Sequence, residues 1–238
     1  MPHPLFKGKL GGLGGYKQGG IGAAVDPATG EPVLAAYGIL PRIGLLEERQ
    51  GSRASDPITS KHALNLFGLE AEIGFVMSAD LVPREASAYT EAEVWAAVGQ
   101  VRLTIELVGR RFDLALAGDA SSLQSLGDAS CAGAVVLGKS WQRDEDGCPS
   151  PARLAAARTS IVVNGETRAT GRGEDNPLGS PLASLTWCIN HLGGRGITLR
   201  TGELVIAGAC CKTRDWSAGD SIEVTFEGLG VVRCVIGE

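Results

Sequence analysis

The chain has 238 residues, 44% of them hydrophobic, with a formal net charge of −5. That length and composition suit one large globular domain, expected to span 1–238 with a sizeable core. The acidic balance, with Arg110-Arg111 as the sole adjacent basic pair, argues against a nucleic-acid surface, and apolar runs such as CAGAVVLG fall far short of a membrane span.

In chain order, GKLGGLGGYKQGGIGAA (8–24) is glycine-rich, either a flexible arm or a backbone wrapped closely around a ligand. No signal-type apolar core precedes it, so the expected location is cytoplasmic. Residues 1–60 are expected to form an N-terminal arm bearing Lys17, and 61–238 a β core. EERQGSRASDPITSKHA reads as a polar loop. Next, LFGLEAEIGFVM reads as a strand, and TEAEVWAAVGQV opens with Thr90 and Glu93 at capping-box spacing, predicting a helix over about 91–99. QVRLTIELVG (100–109) alternates Val101, Leu103 and Ile105 against Arg102, Thr104 and Glu106, the period of a half-buried strand. AGAVVLGK (132–139) is a further strand, and Asn164-Gly165 between β-prone residues predicts a hairpin. Leu182, Leu185, Ile189 and Leu192 recur at helical spacing, predicting an amphipathic helix over about 178–192 that Gly193-Gly194 stops. The tail alternates strands and turns. With 34 glycines and 5% aromatics, the fold class is α+β, strand-rich with peripheral helices. The six cysteines contain no C-x-x-C pair and read as reduced core residues.

Glu70 and Glu72 carry the first chemical signal. On a strand, side chains at i and i+2 share a face, roughly 7 Å apart along the chain. Two ionised carboxylates converging in a partly buried place repel unless a cation or proton lies between them. Glu106 comes from a second strand-like segment. Three carboxylates without clustered histidines suit a hard divalent cation, Mg²⁺ or Mn²⁺. From periodicity alone, an E-x-E on a strand is usually a solvated sheet face, and spacing alone does not bring Glu106 to the pair.

A resemblance does. GGYKQGG, AAYGIL, GLEAEIGFVM, TIELVGRRF, LGDASCAGAVVLG, NPLGSPLASLTWCINHLGGRGITLRTGELVIAGA and AGDSIEVTFEGLGVVRCVIG stand in the order found in one family. From about residue 12 onward the chain resembles the 2-oxopent-4-enoate hydratase and 4-oxalocrotonate decarboxylase group of the fumarylacetoacetate hydrolase superfamily. The resemblance implies a mixed β roll or barrel holding one Mg²⁺ or Mn²⁺. It matches Glu70, Glu72 and Glu106 to the metal ligands, Lys17 to an acid/base or substrate-binding lysine, and Ser130 to a substrate-contacting serine. Asp128, in the same Gly-Asp-Ala-Ser stretch, is taken as substrate-binding with it. The chain departs from the family pattern at Gln18, at Ala36 and at Gly127-Asp128, and its segment before the lysine is shorter.

The expected activity is therefore that of a metal-dependent lyase, a hydratase adding water to a 2-hydroxy-2,4-dienoate in the catabolism of aromatic-derived acids. Its substrate would chelate the metal through C1 carboxylate and C2 oxygen, while Lys17 moves protons on the carbon chain. Alternatives are a 4-oxalocrotonate-type decarboxylase, an acylpyruvate C–C hydrolase using His62 to activate water, and a non-catalytic partner subunit of a hydratase–decarboxylase complex. His62 reads more simply as a solvated loop residue, and Arg110-Arg111, which could hold a substrate carboxylate, more simply as surface cations. A homo-oligomer is expected.

Overall fold

A computed structural model describes residues 13–19, 36–62, 65–112 and 122–238. Among these residues, twelve strands form two sheets. The first has seven strands: β1 (Leu13–Gly19), β2 (Ala36–Pro41), β3 (Leu45–Glu47), β5 (Leu66–Met77), β6 (Val98–Gly109), β7 (Ala132–Gln142) and β10 (Leu204–Thr213). They lie in the order β2-β1-β10-β5-β6-β7-β3, with β1–β10 and β3–β7 parallel and the rest antiparallel. The second sheet runs β4-β12-β11-β8-β9, from β4 (Thr59–Ser60), β8 (Arg158–Val163), β9 (Glu166–Arg172), β11 (Ser221–Phe226) and β12 (Gly230–Gly237). Ile73, Phe75, Leu103 and Ile105 from the first sheet share one buried cluster with Ile161, Val224, Phe226 and Val232 from the second. Among the described residues, four helices lie outside the sheets: α1 (Glu91–Ala97), α2 (Ser122–Gly127), α3 (Pro151–Ala156) and α4 (Pro181–Gly193). This is the strand-rich mixed β fold with peripheral helices that the sequence predicts.

Local signals act where they were read. Thr90 Oγ1 accepts the Glu93 N–H while the Glu93 carboxylate takes the Thr90 N–H, so the capping box starts α1. That helix stops at Ala97, and Val98 already belongs to β6. Asn164 and Gly165 join β8 to β9 with φ of 51° and 83°, the left-handed pair a two-residue hairpin needs. The α4 helix begins at Pro181 rather than 178, because Ser180 caps it by accepting the Ala183 N–H. All six cysteines are free and five are buried. No helix of the described residues is long and apolar enough to cross a membrane.

Two expectations need correction. Part of the glycine-rich stretch, 13–19, is no flexible arm but a strand paired on both edges, to β2 and β10; its remainder lies outside the described residues. The β6 strand is not half-buried either. Thr104 and Glu106 are as fully buried as Leu103 and Ile105. The physical cause is curl. On a flat sheet, β1 and β6 stand three strand spacings apart, roughly 14 Å, yet a Lys17 side chain from β1 touches Glu106 of β6. The sheet folds over its own inner face and encloses what alternation assigns to solvent.

Candidate active site

The register of β5 on β6 sets Glu70 directly opposite Glu106 and Glu72 opposite Thr104. Residues opposite one another in an antiparallel pair share a face, so the three glutamates converge. Each offers an oxygen within 4.8 Å of the others. Glu72 and Glu106 are fully buried, and Glu70 is half-buried at the rim. Into the same place β1 delivers Lys17, buried, with Nζ 2.5 and 2.7 Å from the two Glu106 oxygens.

One ammonium cannot neutralise three carboxylates. Burial is the largest influence on Glu106 and carries its carboxyl up to about 7, with Lys17 pulling the other way and Glu70 adding to the rise. Glu72 is pushed well above the usual carboxylate range, first by burial and then by the charges of Glu106 and Glu70. For Lys17, burial acts downward, but the attraction of Glu106, Glu70 and Glu72 outweighs it and holds the ammonium above its ordinary range. Lysine stays charged, and the carboxylates retain a strong demand for further positive charge.

Glu72 is aimed by backbone. The Gly208 N–H donates to its Oε2 at 2.8 Å, from an irregularity in β10 where the pairing with β5 shifts. Gly208 has φ +94°, and a Cβ there would lie 2.8 Å from Gln18 Oε1. Asn176 pins the irregularity: its Nδ2 donates to the carbonyls of Ala207 and Gly208, while its Oδ1 accepts from the Leu178 N–H and the Ser184 hydroxyl. The Asn-Pro-Leu-Gly-Ser-Pro stretch carries Asn176, to which the sequence alone assigns no role.

A cavity of about 760 Å³ opens onto Lys17 and Glu70, walled by Phe67, Arg110, Ser130 and Arg214 among others. Ser130 sits in a left-handed turn in which Ala129, Ser130 and Cys131 have φ of 51°, 56° and 60°. Three consecutive non-glycine residues there cost roughly 1–2 kcal/mol each. The turn packs on Gly38, which pairs with Lys17 across β1–β2. A Cβ on Gly38 would stand 1.8 Å from the Ala129 carbonyl oxygen, so only glycine lets this turn reach the lysine strand. Asp128 takes a different place from that expected of a substrate contact. Its carboxylate accepts from Arg111 Nε at 2.5 Å and from the Arg111 N–H at 3.0 Å, anchoring the turn's entry. Arg110 and Arg111 therefore part company, Arg110 facing the cavity and Arg111 bracing the turn. His62 lies in solvent, 75% exposed and 3.3 Å from Glu238. Gln18 is fully buried, with neither amide atom partnered among the described residues. Ala36 is a buried β2 residue paired with Gly19.

The donor set suits a hard divalent cation. It is all oxygen, its atoms lie within the roughly 4–5 Å that separates opposite ligands around such an ion, and Glu72 Oε1 is buried without a partner among the described residues. With fold and site in view, the comparisons place the chain. It belongs to the fumarylacetoacetate hydrolase family, since residues 47–236 match the family model described as fumarylacetoacetate (FAA) hydrolase C-terminal. Among named relatives, a 2-keto-4-pentenoate hydratase of Paraburkholderia xenovorans (strain LB400) is 31% identical over 165 residues, 69% of this chain and 57% of that one. The chain thus spans less than two thirds of the length of the curated relatives it matches. By fold it resembles 4-oxalocrotonate decarboxylase from Pseudomonas putida G7, complexed with calcium and acetate, at TM-score 0.72 and 22% identity over 94% of this chain and 77% of that one. It also resembles fumarylpyruvate hydrolase from Pseudomonas aeruginosa, in complex with Mn²⁺ and pyruvate, at TM-score 0.65 and 17% identity over 94% and 89% of the two chains.

Proposed function

We propose that this chain is a divalent-metal-dependent lyase, a hydratase adding water to a short 2-hydroxy-2,4-dienoic or 2-oxo-enoic acid to give a 4-hydroxy-2-oxo acid. The observation that carries this reading is the convergence of Glu70, Glu72 and Glu106 with Lys17 at one cavity. The hydratase name of a 31% identical relative, and a structural neighbour holding Mn²⁺ with a 2-oxo acid, support it. Glu70, Glu72 and Glu106 would hold Mg²⁺ or Mn²⁺. When bound, the ion supplies Lewis acidity, drawing charge onto a 2-oxo oxygen. Lys17 Nζ moves protons on the carbon chain: in a 2-hydroxydienoic acid the proton released by the 2-hydroxyl goes to C5 on ketonisation, water then adds its hydroxyl to C4 and its other proton to C3, and the lysine ends as it began. Ser130 binds substrate polar groups from the left-handed turn that Asp128 and Arg111 secure.

Decarboxylation is the second reading, favoured by the fold neighbour of that activity; it would use the same carboxylates. Hydrolysis of an acylpyruvate needs a water-activating base, and His62, exposed beside Glu238, is badly placed for it. The reading includes a homo-oligomer, which light scattering of the purified chain would test. Calorimetry with Mg²⁺ or Mn²⁺ tests the ligands: Glu72→Ala is expected to abolish binding, and unchanged affinity would refute the assignment. Incubation of 2-oxo-enoates, oxalocrotonate-type diacids and acylpyruvates, with products identified by NMR, separates water addition, CO₂ loss and C–C cleavage. Turnover of any of them excludes a non-catalytic subunit.

A further inference from the structure

We propose that the cavity carries a second anion subsite, formed by Arg110 and Arg214 around Phe67, and that the preferred substrate bears an anionic group at the end remote from its 2-oxo acid. This deepens the proposed function and rests on it. Both guanidinium groups lie on one ring: the Arg110 carbon is 3.9 Å and the Arg214 carbon 5.2 Å from the Phe67 centroid. Among the described residues no carboxylate forms an ion pair with either arginine. Arg110 Nε is buried and unpartnered there. All three side chains wall the cavity that also opens onto Lys17 and Glu70. Two unpaired cations brought together without a counter-ion repel, and stacking on an aromatic face offsets only part of that cost. A carboxylate between them resolves it through charge-assisted hydrogen bonds.

Spacing sets the ligand's length. Phe67 precedes Glu70 by three residues on β5, which places the two ends of the site roughly 10 Å apart along the strand. Side chains that wall the cavity extend into it, so the ligand is shorter than that backbone span. The other carboxylate on this wall, Asp175, is engaged at its Oδ2 by the Arg172 N–H. Lys212 stands opposite Glu70 on β10, also lines the cavity, and adds positive charge at that end.

The test compares two acids of equal length, 2-oxoadipate and 2-oxohexanoate, titrated calorimetrically into the full chain with saturating Mg²⁺. The diacid is expected to bind roughly tenfold or more tightly, the worth of a charge-assisted hydrogen bond. In Arg214→Gln, which alters an exposed side chain, and in Arg110→Gln, the diacid-to-monoacid affinity ratio is expected to fall toward one. Equal affinities in the unmodified protein, or a ratio untouched by both substitutions, would overturn the subsite while leaving the proposed function standing. A chain that binds Mg²⁺ and neither acid would overturn both.

Discussion

Lys17 has two duties that a single substitution separates. Its ammonium is the counter-charge of Glu106 and the proton carrier of the proposed reaction. Lys17→Met keeps the length and removes the charge, leaving a buried carboxylate without its partner, which costs about 3–5 kcal/mol in the metal-free protein. Calorimetry is expected to show Mg²⁺ binding retained, because the cation supplies the missing charge. Turnover should drop by roughly 10²- to 10⁴-fold, the usual contribution of a positioned acid or base. An unaltered kcat would refute the lysine's role. Glu72 differs in kind: its Oε2 is fixed by the Gly208 N–H and its Oε1 has no partner among the described residues, so in the proposed reaction it serves as a ligand and Lys17 as the proton carrier.

At the scale of the element, the decisive feature is the irregularity in β10. An unbroken ladder would pair the Gly208 N–H with a neighbouring strand; here it points at a carboxylate instead. Gly208→Ala combines a left-handed φ with a contact at 2.8 Å to Gln18. It is expected to cost roughly 1–2 kcal/mol, lowering Tm by about 2–8 °C, and to weaken Mg²⁺ binding as the N–H moves off Glu72. Asn176→Ala strips the carbonyls of Ala207 and Gly208 and the Ser184 hydroxyl of a partner, a loss of about 1–3 kcal/mol read by chemical denaturation. Both variants leave every proposed ligand in place, so a fall in metal affinity reports positioning.

For the whole molecule, the buried carboxylates make stability depend on pH and on metal together. The Glu106 carboxyl titrates near 7 in the folded protein, driven up chiefly by burial, and Glu72 is raised as well. The unfolded chain returns both to the ordinary range, about 4.3. Folded protein thus holds protons that unfolded protein has released, so this contribution is full below about pH 4.3 and is lost as pH rises through 7. Tm of the metal-free protein should fall between pH 5 and 8. Added Mg²⁺ replaces the lost protons, so its stabilising shift should be larger at pH 8 than at pH 6. A metal-induced shift independent of pH would contradict this coupling. Scanning calorimetry at several pH values, with and without Mg²⁺, reads both.

Sequence by itself determined the local elements and the pairing of Glu70 with Glu72. Capping at Thr90 and Glu93, the Asn164-Gly165 hairpin and the α4 stripe act within a few residues, so composition and period reveal them. The two glutamates share a face because strand geometry has a period of two. Only the tertiary structure decided that this face is interior. Alternation assigns Thr104 and Glu106 to solvent, and it is the curl of a seven-stranded sheet, a sum of twists no segment encodes, that closes over them. Curl also brings Lys17 across three strand spacings to Glu106, while the side-by-side order of β10, β5 and β6 sets Arg110 and Arg214, some hundred residues apart, on the same ring. Contacts of that separation depend on the path of the whole chain, which is why Gly208, Asn176 and the arginine pair left no mark in the local pattern.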